Sequence, residues 1–391
     1  MKRTEKNSYT GGNTGAVVKG GTPFFNQLNE LIDRSSRFLY LQFYIFENDA
    51  TGTVVKEHLL AASKRGVKVY LLLDGYASQQ LSQTFCDELK AGGILFKWFE
   101  PVFKSKQFYF GRRLHHKVVL NDCGEALIGG INISNRYNDL PNQPAWLDRA
   151  VYVHGPVALA IEQICVKTWN RSLSSHEAPL SAQLQRHNIE HKGDLLVRTR
   201  QNDWVRGKVE ITRSYLELIK HSRKEIIIMS GYFLPGQFVR NVLSKAAARG
   251  VAIKVIIAGT SDVLIAKAAE RFWYNWLLRN KIKIYEYRSG ILHGKVSVYD
   301  QQWITIGSYN VNNISAYASV ELNLDIWDRS LGAATAKDLE EIIAHQCTEI
   351  TGEHVMKHYS LLQRFWFWLS YEIYRAGVFL FTFYFKQIKK G

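Results

Sequence analysis

A spacing that occurs twice restricts this chain more than any other feature. His115-x-Lys117 is followed by four residues and Asp122, then by six residues and Gly129-Gly130-x-Asn132. His293-x-Lys295 is followed by four residues and Asp300, then by six residues and Gly307-Ser308-x-Asn310. A single H-x-K is weak, and one full copy is moderately specific. Two copies at matching places are hard to obtain by accident.

The repetition extends beyond the motif, which predicts two copies of one plan. SRFLYLQFYIF (36–46), a helical stretch and KRGVKVYLLLDG (64–75) precede the first copy; KEIIIMSGYFLP (224–235), a helical stretch and ARGVAIKVIIAG (248–259) precede the second. Arg65-Gly66-Val67 matches Arg249-Gly250-Val251. The glycine suits a left-handed helix C-cap, and the apolar run after it suits a strand buried on both faces. Strands alternating with helices at this spacing predict α/β units. Residues 1–175 form the first predicted domain, the polar stretch 176–195 a linker, and 196–350 the second domain.

The motif has a physical reading. HHKVVLND and HGKVSVYD are β-rich, so His and Lys at i and i+2 share a face while His116 points away. ALIGG and WITIG predict a second strand that makes a hairpin with the first, its glycines giving a ligand close access to the backbone. The Asn ends that strand beside the Lys. One imidazole, one ammonium and one amide per half suit a phosphodiester, with Lys and Asn on the nonbridging oxygens. Asp122 and Asp300 follow the turn-favouring side of the strand and are expected to be structural.

Charge and composition agree with this reading. The chain has 391 residues, 46% of them hydrophobic and 22% charged, which excludes a disordered or fibrous whole. A net charge of +15 favours a polyanionic partner, either nucleic acid or an anionic membrane surface. Cys86, Cys123, Cys165 and Cys347 show neither paired nor zinc-ligand spacing, which points to a reducing compartment and no structural metal. The N-terminus is not a signal peptide, and no run of about 18 uncharged apolar residues occurs.

Residues 351–391 form a different kind of segment. Residues 365–385 are aromatic and aliphatic, interrupted by Glu372 and Arg375 and followed by Lys386, Lys389 and Lys390. As a helix they would reach about 31 Å, but a central Glu and Arg cost on the order of 2–3 kcal/mol each in a bilayer core. The two can pair on one helix face. An interfacial helix or shallow hairpin fits better than a span, with Trp and Tyr at headgroup level and the lysines on anionic lipid. RFWYNWLLRN (271–280) either dips into the same interface or covers the sheet as an ordinary amphipathic helix.

The paired motifs resemble the HKD motifs of the phospholipase D superfamily over the chain up to about residue 350. KRGVKVYLLLDGYAS, the GG-x-N and GYFLP are similar to bacterial cardiolipin synthases. The resemblance implies two tandem phospholipase D-like α/β domains, each a mixed sheet flanked by helices. They would be related by pseudo-twofold symmetry, with one active site at their interface. It implies a two-step reaction without metal or cofactor: His115 attacks the phosphate and forms a phosphohistidine, and His293 acts as acid and then base. Lys117, Asn132, Lys295 and Asn310 would bind the phosphate. An acidic residue downstream of each motif histidine would orient it: Asp148 in the first half and Glu321 in the second, with Asp325 as the rival of Glu321.

The implied substrate is phosphatidylglycerol, two molecules of which would give cardiolipin and glycerol. The implied place is the bacterial inner membrane, bound peripherally or monotopically at the cytoplasmic face. Many members begin with two transmembrane helices and this chain has none, so the aromatic C-terminus is the expected attachment. The alternative is hydrolysis, by a phospholipase D or a nuclease. Nucleic acid is the weaker partner, because small nucleases of the superfamily carry one motif per chain and an aromatic tail adds nothing to DNA binding. The sequence sets no oligomeric state, since both half-sites lie in one chain.

Overall fold

The computed structural model describes residues 9–101, 112–173 and 177–388. Apart from one two-residue strand, Arg113–Leu114, that pairs across the halves, its strands fall into two mixed sheets. The first half contributes β1 (Thr10–Lys19), β2 (Phe38–Phe43), β3 (Lys68–Asp74), β4 (Leu95–Phe99), β5 (Arg113–Leu114), β6 (Lys117–Asn121), β7 (Glu125–Gly129) and β8 (Arg149–His154). The second half contributes β9 (Leu195–Asp203), β10 (Lys208–Val209), β11 (Glu225–Ser230), β12 (Ala252–Thr260), β13 (Lys283–Ile291), β14 (Lys295–Tyr299), β15 (Trp303–Gly307), β16 (Ser319–Trp327) and β17 (Cys347–Ile350).

The strand order is the same in both halves. It runs β4-β3-β2-β6-β7-β8-β1 in the first sheet. In the second it runs β13-β12-β11-β14-β15-β16-β9, with β17 added beyond β13. Three neighbouring strands in each sheet are parallel, joined by helical crossovers, and the rest are antiparallel. The corresponding edge strands β1 and β9 pair with each other and connect the sheets.

Local chemistry accounts for the crossovers. The helix Ala50–Lys64 starts on Asp49, whose side chain accepts from the Gly52 amide at 2.9 Å. It ends before Gly66 at φ 90°, and the helix Gln237–Ala248 ends before Gly250 at φ 88°. The arginine before each glycine has a repeated task. Arg65 donates to the carbonyls of Ile32 and Asp33, and Arg249 to those of Ile219 and Lys220, all within 3.1 Å. Each guanidinium thus closes the C-terminal end of the preceding helix, where bare carbonyls favour a cation.

The apolar strands are buried on both faces. Leu39, Leu41, Val69 and Leu71 pack on helices of the first half, and Ile226, Ile228, Val255 and Ile257 on helices of the second. The alternate residues Tyr40, Val118 and Val151 join Ile227, Val296 and Leu324 in one cluster shared by the two halves. Full burial of each such side chain contributes roughly 1.5–3 kcal/mol, which holds the halves together.

Between β8 and β9, residues 177–194 contain only the short turn Arg186–Asn188, yet they are tied down. The Gln183 and Leu184 amides donate to the Glu162 carboxylate at 2.6 and 3.0 Å.

In the C-terminal segment a short helix, Gly352–His358, precedes one continuous helix, Leu361–Ile388, so the aromatic stretch is not a hairpin. Arg375 and Glu372 pair on it at 2.6 Å. Tyr371 stacks on Phe272 with ring centroids 4.8 Å apart and meets Trp273 edge-on at 5.1 Å. The aromatic stretch 271–280 is therefore partly covered by the chain's own last helix. The opposite side of that helix leaves Leu361, Leu362, Phe365, Trp366, Phe379 and Leu380 exposed. Among the described residues no helix is long and apolar enough to cross a membrane.

Candidate active site

Each motif histidine sits just before a central strand, and its backbone is held by the other half of the chain. The His115 amide donates to the Val320 carbonyl at 2.9 Å, continuing the parallel pairing of β5 with the start of β16. The His293 and Gly294 amides both donate to the Leu147 carbonyl at 2.9 Å, and the Leu147 amide donates back to Ile291 at 2.9 Å. The residues after Val320 and Leu147 are Glu321 and Asp148. This backbone register brings Glu321 to 2.8 Å from His115 Nδ1 and Asp148 to 2.7 Å from His293 Nδ1.

Both carboxylates are buried, and the pairing crosses the domains. The carboxylate of each half therefore serves the histidine of the other half. This corrects the expectation that each acid orients the motif histidine upstream of it in its own half: the pairing follows from the interface strands and not from distance along the chain. With Nδ1–H donated to a carboxylate, each imidazole keeps its Nε2 lone pair free of that bond. Asp325, the rival of Glu321, is held elsewhere: Arg198 Nε, Ser214 Oγ and Thr305 Oγ1 bond it at 2.9, 2.6 and 2.5 Å.

The residues after the hairpins differ in a way that suits their neighbours. Ser308 Oγ donates to Glu321. At the corresponding Gly130, a Cβ would lie 2.6 Å from both oxygens of Asp148. At Gly129 it would meet Ala150, and at Gly307 the Leu322 carbonyl and Asn323. These glycines make room for the adjacent strand and, at Gly130, for a carboxylate. They do not open the backbone to a ligand, which corrects the expectation from sequence.

Burial lowers the pKa of His115, aided by Lys117 and opposed by Glu321. Burial and Lys295 push His293 down to about 3. Both imidazoles are therefore neutral near pH 7. Asp148 is held below the usual carboxylate range: burial opposes its charge, but Lys295 and the His293 hydrogen bond prevail. Lys117 donates to the His115 carbonyl at 2.9 Å and lies over the Tyr44 ring at 5.0 Å; Lys295 donates to the His293 carbonyl. Burial lowers both ammonium groups, Lys295 to about 8 and Lys117 by a large margin.

Both histidines, Asn132 and Asn310 line one cleft of about 670 Å³. Asn132 accepts from the Ile45 amide at 3.1 Å and donates to Tyr137 Oη at 2.9 Å. Asn310 Oδ1 is buried without a hydrogen-bond partner among the described residues, and its amide edges the cleft. His116 points out of this site, with Nδ1 3.1 Å from Gln42 Oε1. Asp122 and Asp300 lie outside it too. Asp122 takes the Ser36 amide at 2.9 Å and pairs with Arg37; Asp300 takes the amides of Arg223, Lys224 and Glu225. Each ties its hairpin turn to the start of a central strand. Among the described residues no group of three or more His, Cys, Asp or Glu side chains is placed to hold a metal ion.

Three features escape sequence reasoning. Asp74, fully buried at the end of β3, takes the Leu114 amide at 2.7 Å and so anchors the residue before His115. Burial pushes its pKa up. Its only signal is an acid closing an apolar run. Tyr137 and Trp146 flank the His293 ring at 5.2 and 6.1 Å, and no local pattern marks them. The last helix contributes Ile373 and Tyr374 to the cleft wall, and Tyr374 Oη accepts from the Asn313 amide at 3.1 Å.

The family model described as "Cardiolipin synthase, PLD-like domain" matches residues 28–145 and 215–345. Cardiolipin synthase B of Salmonella typhi is 33% identical over 346 residues, spanning 87% of this chain and 82% of that protein. Cardiolipin synthase B of Escherichia coli K12 is 33% identical over 353 residues, 88% of this chain and 84% of that one. The crystal structure of phosphatidylserine synthase from Haemophilus influenzae Rd KW20 has the same fold. Its TM-score is 0.70 over 94% of both chains at 15% identity.

Proposed function

The chain belongs to the phospholipase D superfamily, with two domains of the cardiolipin synthase type, and from that premise we propose that it is a phosphatidyltransferase that makes cardiolipin. Two phosphatidylglycerols are its substrates, and cardiolipin and glycerol its products. The observation that carries this reading is the pair of motif imidazoles, each backed by a buried carboxylate of the other domain, in a single cleft.

His115 Nε2 attacks the phosphorus of the first phosphatidylglycerol. An N–P bond forms, the P–O bond to glycerol breaks, and His293 Nε2–H gives glycerol its proton. His293 then takes the proton from a hydroxyl of the second phosphatidylglycerol. That oxygen forms the new P–O bond, the N–P bond breaks, and His115 returns to its neutral form. Glu321 and Asp148 hold the tautomers and stabilise the imidazolium in each step. His293 begins neutral, so its first proton is taken up with the substrate, whose phosphate charge favours the imidazolium. Lys117, Lys295 and the two asparagines hold the nonbridging oxygens, and the phosphate raises the lysine pKa values that burial has lowered.

The exposed apolar side of the helix Leu361–Ile388 lies beside the cleft and is read as the membrane-facing surface. Exposed Val263, Ile265 and Ile314 continue it around the cleft mouth. The net charge of +15 favours an anionic leaflet. The equal strand order and the paired edge strands support a pseudo-twofold relation between the domains. The proposed place is the cytoplasmic face of a bacterial inner membrane, bound peripherally or monotopically.

The test uses purified protein and phosphatidylglycerol vesicles without nucleotide, with products resolved by mass spectrometry and His115→Ala as control. Cardiolipin and glycerol in equal amounts are expected. Phosphatidic acid alone would mean that water is the acceptor.

A further inference from the structure

The cleft is built for a phosphate, yet one of its walls carries a negative charge. Among the described residues that line it, Asp262 is the one carboxylate, against Arg113 and Arg136. Asp148 and Glu321 lie behind the imidazoles and are fully buried, whereas Asp262 is exposed at the end of β12. Tyr232 Oη donates to Asp262 Oδ1, and Ser261 Oγ lies 3.5 Å from the same oxygen. Among the described residues no lysine or arginine forms an ion pair with it, although both arginines of the cleft have carboxylate partners. Arg113 faces Asp74 at 3.7 Å, and Arg136 pairs with Glu47. A carboxylate only accepts hydrogen bonds, so its natural ligand is a donor.

The position of Asp262 says which part of a substrate that donor belongs to. Tyr232, which holds Asp262, follows Gly231, whose amide donates to the Gly294 carbonyl at 3.1 Å, next to His293, and the charge of Asp262 also favours the Lys295 ammonium. Asp262 therefore stands on the His293 side of the cleft. In the reaction proposed above, His293 handles the proton of the alcohol oxygen, both when glycerol leaves and when the acceptor enters. The alcohol part of the headgroup must then lie on that side, and the diacylglycerol part toward the apolar rim.

We propose that Asp262, held by Tyr232, is the headgroup-recognition residue, accepting hydrogen bonds from the donor groups of the phospholipid alcohol. The inference rests on the phosphodiester-transfer reading of the site. Two headgroups share the required chemistry: glycerol, through its free hydroxyls, and ethanolamine, through its ammonium. A choline or p-nitrophenyl headgroup offers no such donor.

The experiment measures kcat/KM of wild type, Asp262→Asn and Asp262→Glu in mixed micelles. The four substrates are phosphatidylglycerol, phosphatidylethanolamine, phosphatidylcholine and phosphatidyl-p-nitrophenol. Loss of a charged hydrogen bond should lower the preference for a donor headgroup over p-nitrophenyl by about tenfold in Asp262→Asn, with partial recovery in Asp262→Glu. A loss confined to the glycerol lipid identifies a hydroxyl ligand, and one confined to the ethanolamine lipid an ammonium ligand; either supports the assignment. An unchanged ratio, or equal losses on all four substrates, would overturn it. Wild-type enzyme inactive on every phosphodiester would instead overturn the proposed function.

Discussion

His293 Nδ1 and Asp148 Oδ2 lie 2.7 Å apart and come from different domains. The mirror pair, His115 and Glu321, lies 2.8 Å apart across the same interface. Among the described residues, neither domain alone contains a complete histidine–carboxylate pair of the kind the proposed chemistry needs.

Glu321→Gln and Asp148→Asn should each lower kcat by a factor of about 10² or more, because an amide can donate to Nδ1 and hold the wrong tautomer. The cross-domain assignment is checked by a double-mutant cycle on phosphatidylglycerol turnover, with circular dichroism to verify folding. His115→Ala/Glu321→Gln should be no slower than His115→Ala alone, since the pair acts as a unit. Independent, multiplying losses would refute the coupling.

The sequence makes the two-copy plan legible through the identical motif spacing, the Arg-Gly-Val repeats and the long apolar strands. It also marks Asp148 and Glu321 as partners of the histidines through family resemblance. Their cross-pairing is not legible, because it joins residues 145 and 206 positions apart through backbone bonds at Leu147 and Val320. Strand β1 is equally hidden: TGGNTGAVVK begins with glycines and polar residues of low strand propensity, and only tertiary pairing with β8 and β9 makes it a strand. The aromatic composition of 365–385 announces an unusual segment. That it walls the cleft depends on Tyr371 meeting Phe272, a contact no local pattern encodes.

The histidine shifts give a pH dependence with a definite sign. His116 and His293 are pushed down to about 3 from an ordinary 6.5, and His115 is lowered as well. Below pH 6.5 the unfolded chain takes up protons that the folded chain does not. Stability from these groups is thus complete above 6.5 and is lost as the pH falls toward 3. Tm should decline over that window, and His116→Gln should decline less steeply. An equal slope in the variant would refute the assignment to His116.

Lys295, lowered to about 8, predicts the basic limb of activity. If its ammonium binds phosphate, kcat/KM should fall above about pH 8, while kcat, which reports the complex, should fall at higher pH. A kcat/KM that stays flat to pH 10 would contradict the role of Lys295.

Gly130→Ala places a methyl group 2.6 Å from the Asp148 carboxylate oxygens and must displace them. Its kcat should drop by about 10², more than that of Ser308→Ala, which removes only a donor to Glu321 and should cost about tenfold. The reverse ranking in steady-state assays would contradict the geometry.

Phe365→Ser/Trp366→Ser, on the exposed side of the last helix, should reduce sedimentation with phosphatidylglycerol vesicles by about tenfold or more, while turnover of a soluble short-chain lipid persists. Undiminished sedimentation would rule out that face as the membrane contact.

The most direct measurement looks for the covalent intermediate. Phosphatidyl-p-nitrophenol has a leaving group that needs no proton, so His293→Ala should still form the intermediate but fail to activate an acceptor. Rapid mixing should give a burst of one p-nitrophenolate per protein, and peptide mass spectrometry should find the phosphatidyl group on His115. No burst and no adduct, or an adduct on another residue, would contradict the mechanism.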